Sequence, residues 1–343
     1  MKNHKEIRSI VIVQTAFLGD VILTTPLIRA AQELFPLADV DVVAIPQTAD
    51  ILRNNPFIRT LYTFDKRADK RKAFMRAVQW LRKQKYDLGF APHRSMTTAQ
   101  LLLLGKVERR IGFAGNAASW LYTDRIYFDV EKPQVKRYLD LLKPLTSRNF
   151  SHQTEVFFDA AVKSKVNAML ELYRTPYKIA VAPGSVWPTK RWPAEKYVEL
   201  LRRLERHPIT FIFIGSAEER DYCQKIINLS GVGNAVNLAG SCSLTEAAAA
   251  IASCDLLIAN DNGAMHMANA VKTDVFAFFG PTVPRFGFAP FRENDRIFQV
   301  DLDCRPCSTH GGKSCPKGHF KCMRDIRPID VVRAVEYQLE LDA

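Results

Sequence analysis

Three stretches of the chain carry side chains suited to a phosphorylated substrate, and each follows a short β-branched run. The first, Gln14-Thr15-Ala16-Phe17-Leu18-Gly19-Asp20, ends in a carboxylate at the start of a helical pattern. Its single glycine falls short of the Gly-x-Gly-x-x-Gly fingerprint, which argues against a nicotinamide-dependent oxidoreductase. Asp20 is either a capping or first-turn acid, which the helix dipole favours, or a base at the mouth of a site. The second stretch runs Ala182-Pro183-Gly184-Ser185-Val186-Trp187-Pro188-Thr189-Lys190-Arg191-Trp192-Pro193. A hydroxyl, backbone amides and a fixed ammonium suit a pyrophosphate, whose charge Lys190 would stabilise as it leaves. The plain alternative is that Lys190 and Arg191 are surface charges and the tryptophans are packing. The third stretch, Asn260-Asp261-Asn262-Gly263-Ala264-Met265-His266, opens an apolar helix whose first amides at Gly263 suit a phosphate. Asp261 could then accept sugar hydroxyls, with His266 one turn in, although Asp and Asn also cap helices and a single His is usually structural. Gly280-Pro281-Thr282 forms a further small-residue loop.

These loops need strands and helices to aim them. In the first half, strands are predicted at 9–14, 40–45, 60–64, 88–91 and 126–129, alternating with helices at 21–34, 69–85, 96–104 and 135–146. After a looser, polar region at 147–176 the alternation resumes. Strands are predicted at 178–182, 209–215, 235–238, 256–260 and 275–279, with helices at 194–206, 218–229, 244–252 and 264–271. Alternation of this kind is the signature of an α/β protein with parallel sheets covered by helices. Two Rossmann-like domains are expected, 1–155 and 176–327, followed by a helix over 328–343. Ligands of open parallel sheets bind beyond the carboxyl ends of the strands, so two such sheets facing across a cleft would line it with these loops.

Composition sets the outer limits. The 343 residues are 47% apolar and 24% charged, as in an ordinary two-domain globular protein. No apolar run is long enough for a membrane span or a secretory signal, so a cytoplasmic protein is expected. A net charge of +12 points to an anionic partner without naming it. Nine Lys or Arg fall between Lys66 and Lys85. There the spacing of Phe74, Ala77, Val78 and Leu81 fits an amphipathic helix, either simply solvated on its basic face or turned towards anionic lipid. A nucleic-acid-binding role is disfavoured, because neither an aromatic-interleaved basic strand nor a recognition helix is present.

Taken together, Thr15-x-x-Leu18-Gly19-Asp20-x-x-Leu23-Thr24-Thr25-Pro26, Pro183-Gly184-Ser185-x-Trp187-x-Thr189-Lys190-Arg191-Trp192-Pro193, Asp261-x-Gly263-x-x-His266 and Gly280-Pro281-Thr282 resemble glycosyltransferase family 9. That family contains the ADP-heptose:lipopolysaccharide heptosyltransferases. The resemblance, nearest to heptosyltransferase II, runs through nearly the whole chain in order. It implies a GT-B fold and an inverting transfer of heptose from ADP-L-glycero-D-manno-heptose to the inner core of lipopolysaccharide. By the same resemblance no metal or other cofactor would be required, and ADP-heptose would be the donor substrate. Asp20 would be the general base and Lys190 would stabilise the departing ADP. Ser185, Thr189, Lys190, Glu218, Asp261, Asn262, Gly263, His266 and Thr282 would hold the donor. The lipopolysaccharide acceptor would bring the protein to the inner face of the cytoplasmic membrane as a peripheral contact. A GT-B transferase or epimerase acting on a different nucleotide sugar is the alternative.

The acceptor side is expected at Thr15, His93, Arg94 and Ser95, where Arg94 could pair with an acidic sugar or a phosphate; loop and capping roles are the alternative. The seven cysteines include Cys304-x-x-Cys307, Cys315 and Cys322, with His310 and His319 among them. Cys-x-x-Cys is a zinc half-site, but the second pair lacks the usual short spacing. Free thiols are therefore expected ahead of a structural metal, and a redox or disulfide role is the remaining option. The helix over 328–341, apolar at Val331, Val332, Val335 and Leu339, is expected by analogy to cross back to the first half.

Overall fold

The computed structural model describes residues 6–65 and 69–341 and divides into two compact units, Met1–Phe157 and Phe158–Ala343. Lys66 and Arg67 of the basic run lie outside the described residues. In the first unit the order is β1 (Ser9–Val13), α1 (Leu18–Leu23), α2 (Thr25–Leu34), β2 (Asp39–Ala44), α3 (Pro46–Ala49), β3 (Thr60–Thr63), α4 (Lys70–Gln84), β4 (Leu88–Ala91), α5 (Met96–Leu104), β5 (Arg109–Phe113), β6 (Asp124–Ile126) and α6 (Gln134–Asp140). The second contains α7 (Ala160–Leu170), β7 (Tyr177–Ala182), α8 (Ala194–Leu204), β8 (Ile209–Phe213), α9 (Arg220–Ser230), β9 (Ala235–Asn237), α10 (Leu244–Ala252), β10 (Leu256–Asn260), α11 (Gly263–Ala270), β11 (Asp274–Phe278), β12 (Arg296–Phe298), α12 (Lys321–Arg324) and α13 (Pro328–Gln338).

Both sheets are six-stranded and parallel, ordered β3-β2-β1-β4-β5-β6 and β12-β11-β10-β7-β8-β9. Each is the doubly wound Rossmann order, in which the chain reverses its direction of winding between the first and fourth strands. The switch points therefore lie between β1 and β4 in one unit and between β7 and β10 in the other. Helices cover both faces, so the central strands read as continuous apolar runs; Ile10 to Val13 and Ile179 to Val181 are fully buried.

Departures from the expected elements have local causes. The helix predicted at 21–34 is split into α1 and α2 at Thr24. Pro26 has no amide to give the Ile22 carbonyl, and the Thr25 hydroxyl takes that carbonyl instead at 2.8 Å. Strand β5 begins with two arginines, which concealed it. Arg109 pairs with Asp124 at the start of β6, and Arg110 bonds the Val107 and Leu121 carbonyls. Helix α7 lies in the region read as loose because only Val166 and Leu170 of its residues are buried, too few to give a periodicity. Helix α4 docks by Ala73, Ala77, Val78 and Leu81 and leaves its basic side chains exposed. Helix α13, expected to reach back to the first half, buries Val331, Val332 and Val335 against α8 in the second unit's core. Glu336 fastens it there through Arg206 and His207. Among the described residues, no helix is long and apolar enough to cross a membrane.

Candidate active site

In the second unit the expected donor residues gather at the switch point. The loop after β7 carries a short 3-10 turn, Pro188–Lys190, which directs the Lys190 side chain to Asp261 just beyond the end of β10. Lys190 Nζ lies 2.6 Å from Asp261 Oδ2, with the two side chains 13% and 9% exposed. Thr282 Oγ1, from the loop after β11, donates to the same oxygen at 2.7 Å. Taking two ions out of water costs about as much as their attraction returns, so the pair is a poor source of stability. Its effect is to hold an ammonium in one place at the carboxyl edge of the sheet. His266 is buried one turn into α11. Burial is the main cause that pushes its pKa down to about 4; the Asp261 charge opposes the fall and the Lys190 charge adds to it. The imidazole is therefore neutral at pH 7.

The scaffold under this cluster is Asn260, which the sequence reading passed over. Its side chain is fully buried; Nδ2 donates to the carbonyls of Pro183 (2.7 Å) and Gly184 (3.2 Å), while Oδ1 accepts from Trp192 N (2.9 Å) and Tyr197 OH (3.2 Å). One amide thus fastens both ends of the Lys190 loop to β10. Trp192 stacks on Phe278 with ring centroids 4.3 Å apart, so this tryptophan is packing. Arg191 is also structural, holding the Ser185 carbonyl at 2.9 and 2.7 Å through two nitrogens.

Other expected donor residues are occupied within the fold. Asn262 caps α11 through Oδ1, which accepts from Ala264 N and Met265 N, and its Nδ2 donates to Ala182 O and Gly184 O. Two amides at the helix start beside Gly263 are thus already taken. Ser185 Oγ accepts from Trp187 N at 3.3 Å. Thr189 Oγ1 both donates to Gly312 O (3.0 Å) and accepts from Gly312 N (2.7 Å). Glu218 is exposed on the 3-10 turn after β8, where backbone and Ser216 hydrogen bonds hold its carboxyl below the usual range. The neighbouring Glu219 packs against the Lys190 loop: a Cβ on Gly184 would overlap its carboxylate.

In the first unit, Asp20 is the third residue of α1, whose N-cap is Phe17, so the carboxylate is a first-turn acid and not the cap. Tyr138 OH donates to Asp20 Oδ1 at 2.7 Å. Burial, then the Asp20 charge, raise the phenol well above its ordinary pKa, so it remains a donor. No spacing rule could have linked them, since Tyr138 comes from α6, 118 residues later. Nearby, Gln14 Nε2 donates to Thr24 Oγ1 (2.8 Å), which in turn donates to Asp20 O (2.8 Å). At the same switch point Thr15 Oγ1 meets His93 Nδ1 at 3.2 Å, joining the ends of β1 and β4. Arg94 is exposed; its guanidinium lies 4.3 Å over the Phe128 ring and donates to Gly115 O. Ser95 is the N-cap of α5, with Oγ accepting from Thr98 N at 3.1 Å.

The four clustered cysteines are free thiols. Among the described residues no group of three or more His, Cys, Asp or Glu side chains is arranged to hold a metal ion.

The chain is similar to known proteins over nearly its whole length. Lipooligosaccharide heptosyltransferase 2 of Campylobacter jejuni is 26% identical over 325 residues, 93% of this chain and 96% of that protein. The solved ADP-heptose lipopolysaccharide heptosyltransferase II of Escherichia coli superposes with a TM-score of 0.79 at 24% identity, covering 97% of this chain and 99% of the other. A family 9 glycosyltransferase from Veillonella parvula gives a TM-score of 0.85 at 22% identity, with 98% and 99% covered. These likenesses identify the two doubly wound sheets as those of the GT-B fold. The model of glycosyltransferase family 9 (heptosyltransferase) matches residues 74–317, well over half of the chain, and the protein is accordingly a glycosyltransferase belonging to family 9.

Proposed function

We propose that this glycosyltransferase moves heptose from ADP-L-glycero-D-manno-heptose onto the inner core of lipopolysaccharide, with inversion at the anomeric carbon. The observation that carries the reading is the Lys190 ammonium fixed 2.6 Å from Asp261, beside Thr282 and the start of α11. As a diphosphate leaves, negative charge grows on its bridging oxygen, and a preplaced ammonium stabilises that charge without reorganising. When the donor binds, the ammonium would turn from Asp261 to the diphosphate, so that it is in place before the bond breaks and the carboxylate is free to accept sugar hydroxyls.

Asp20 is the general base. It removes the proton of the acceptor hydroxyl as that oxygen attacks the anomeric carbon and the carbon–phosphate-oxygen bond breaks. A single displacement of this kind needs one carboxylate and no covalent intermediate. The names borne by the Campylobacter jejuni and Escherichia coli relatives support the choice of heptose and of a lipopolysaccharide acceptor. Thr15, His93 and Arg94, at the switch point of the first unit, receive the acceptor. Because that acceptor is lipid-anchored, the protein works in the cytoplasm against the inner face of the cytoplasmic membrane. The exposed Lys70, Arg71, Lys72, Arg76, Arg82 and Lys83 of α4 give it a cationic face for anionic lipid.

The test is product analysis with purified protein. Release of ADP only when donor and acceptor are both present, with one heptose added to the acceptor, is the expected result. Conversion of a nucleotide sugar without acceptor would favour an epimerase of the same architecture. In the Lys190→Ala variant, transfer should fall by roughly 100-fold or more, the scale of one lost electrostatic stabiliser.

A further inference from the structure

The cysteine-rich segment is the one sequence motif that the transfer reaction leaves without a role, and its placement ties it to the Lys190 loop. Cys307 N donates to Pro281 O at 3.0 Å, and the guanidinium of the intervening Arg305 bonds the carbonyls of Phe279, Gly280 and Thr282. Further along, Gly312 exchanges two hydrogen bonds with the Thr189 hydroxyl. Gly311, at φ 94°, packs so closely that a Cβ there would come within 2.9 Å of Trp187 Cβ and 3.2 Å of Lys190 Cγ. The segment thus clamps the loop of Thr282 on one side and that of Lys190 on the other.

Three of its thiols, Cys307, Cys315 and Cys322, line one cavity of about 50 Å³ together with Thr189, Gly311 and Gly312. Cys307 and Cys315 are half-buried, whereas Cys322 is buried and joins the apolar core of the second unit. The two accessible thiols also differ in chemistry. Burial raises the Cys315 thiol, but the backbone N–H groups of Phe320, Lys317, Gly318 and His319 outweigh it and the net shift is downward. Burial, then the charges of Cys304 and Cys315, raise Cys307. A thiolate-prone sulfur and a protonated one lining the same cavity are the two kinds of thiol that an attacking and resolving pair requires. The residues between them, 308–314, include Gly311 and Gly312, so a bond joining the two sulfurs would close a short ring on the very turn that holds Thr189.

We propose that Cys307 and Cys315 form a reversible disulfide when the protein meets a peroxide, and that ring closure withdraws Gly312 from Thr189 and loosens the Lys190 loop. The Cys315 thiolate attacks one peroxide oxygen; an S–O bond forms, the O–O bond breaks and hydroxide leaves to collect a proton. The Cys307 sulfur then displaces the second oxygen as water, forming S–S and breaking S–O. In total two thiols lose two electrons and two protons, and one hydrogen peroxide becomes two waters. The effect on the loop rests on the reading that this loop holds the donor, whereas the disulfide itself does not.

The test treats the full-length reduced protein with hydrogen peroxide, maps its disulfides by peptide mass spectrometry and measures ADP binding before and after. The expected result is a Cys307–Cys315 crosslink with ADP bound about tenfold more weakly, the scale of one or two lost hydrogen bonds, and recovery in dithiothreitol. Cys315→Ser and Cys307→Ser should each bind ADP like the reduced parent and keep that affinity after peroxide. Having two variants covers the case in which one does not fold. Absence of the crosslink, a crosslink with unchanged ADP affinity, or a stoichiometric metal on these sulfurs in the purified protein would each overturn the proposal. Failure of the reduced protein to bind ADP would count against the donor reading, and the mapped crosslink would still decide the thiol pair.

Discussion

Replacing Tyr138 by Phe removes one oxygen and isolates what that oxygen does for Asp20. The phenol is fully buried, remains protonated and donates to Asp20 Oδ1 at 2.7 Å. A hydrogen bond to an ionised acceptor is worth about 1.5–3 kcal/mol. Asp20 is only half-buried, so water replaces part of it, and a net loss of about 1.5 kcal/mol is the working figure. The bond favours the ionised carboxylate. Without it the proton is held more tightly, and the acid limb of kcat against pH moves upward. A more basic carboxylate would by itself speed proton removal a few-fold. Against that stands the loss of orientation, where a displacement on the order of 1 Å costs about 100-fold. Orientation wins, and on the plateau kcat should fall about tenfold while donor KM stays within a factor of about two. The assay follows ADP release between pH 5 and 9. In an Asp20→Asn background the substitution should have almost no further effect, since the two groups act as one unit. An unmoved or lowered acid limb with unchanged kcat would refute the claim that Tyr138 positions the base.

Three further outcomes follow from the geometry. With its pKa held at about 4 in the fold against an ordinary 6.5, His266 takes its proton at lower pH in the native than in the unfolded chain. Stability is therefore complete above about pH 6.5 and is lost as pH falls towards 4, by about 3 kcal/mol at most, and His266→Gln should flatten that part of a denaturation-against-pH curve. Asn260→Ala strips four hydrogen bonds from a fully buried site; urea unfolding should show a loss of about 2–4 kcal/mol, and a loss under about 0.5 kcal/mol would remove Asn260 as the anchor of the Lys190 loop. Arg94→Ala should raise acceptor KM about tenfold and leave donor KM alone, whereas an unchanged acceptor KM would confine Arg94 to its contact with Phe128.

The positions of the candidate groups were legible in the sequence because strand, loop and helix follow one another without interruption. Asp20, Lys190, Asp261 and Thr282 all lie just beyond a strand's carboxyl end, and the doubly wound order brings the loops of the second unit to one switch point. Contacts made across many residues were not legible: nothing local marks Tyr138 as the partner of Asp20, or Gly312 as the partner of Thr189. Small polar residues are ambiguous for a different reason. Ser95 and Asn262 belong to types that bind ligands and cap helices equally well, and in the fold both are bonded to the amides of their own helices. The phase of a single 3-10 turn leaves Glu218 exposed and turns its neighbour Glu219 onto Gly184, which no spacing rule specifies. Strand β5 was missed because Arg109 is neutralised by Asp124 and Arg110 is hydrogen-bonded by carbonyls, partners that lie outside the strand itself.

The central claim is that one carboxylate in the first unit performs proton removal while the second unit holds the diphosphate. The most direct measurement is the single-turnover rate of heptose transfer by Asp20→Asn, taken alongside its affinity for ADP. Transfer slowed by roughly 100-fold or more with ADP bound as tightly as by the parent is the expected pair of results. Heptose transfer at the parental rate in this variant would mean that the acceptor proton leaves by another route and that Asp20 is not the base.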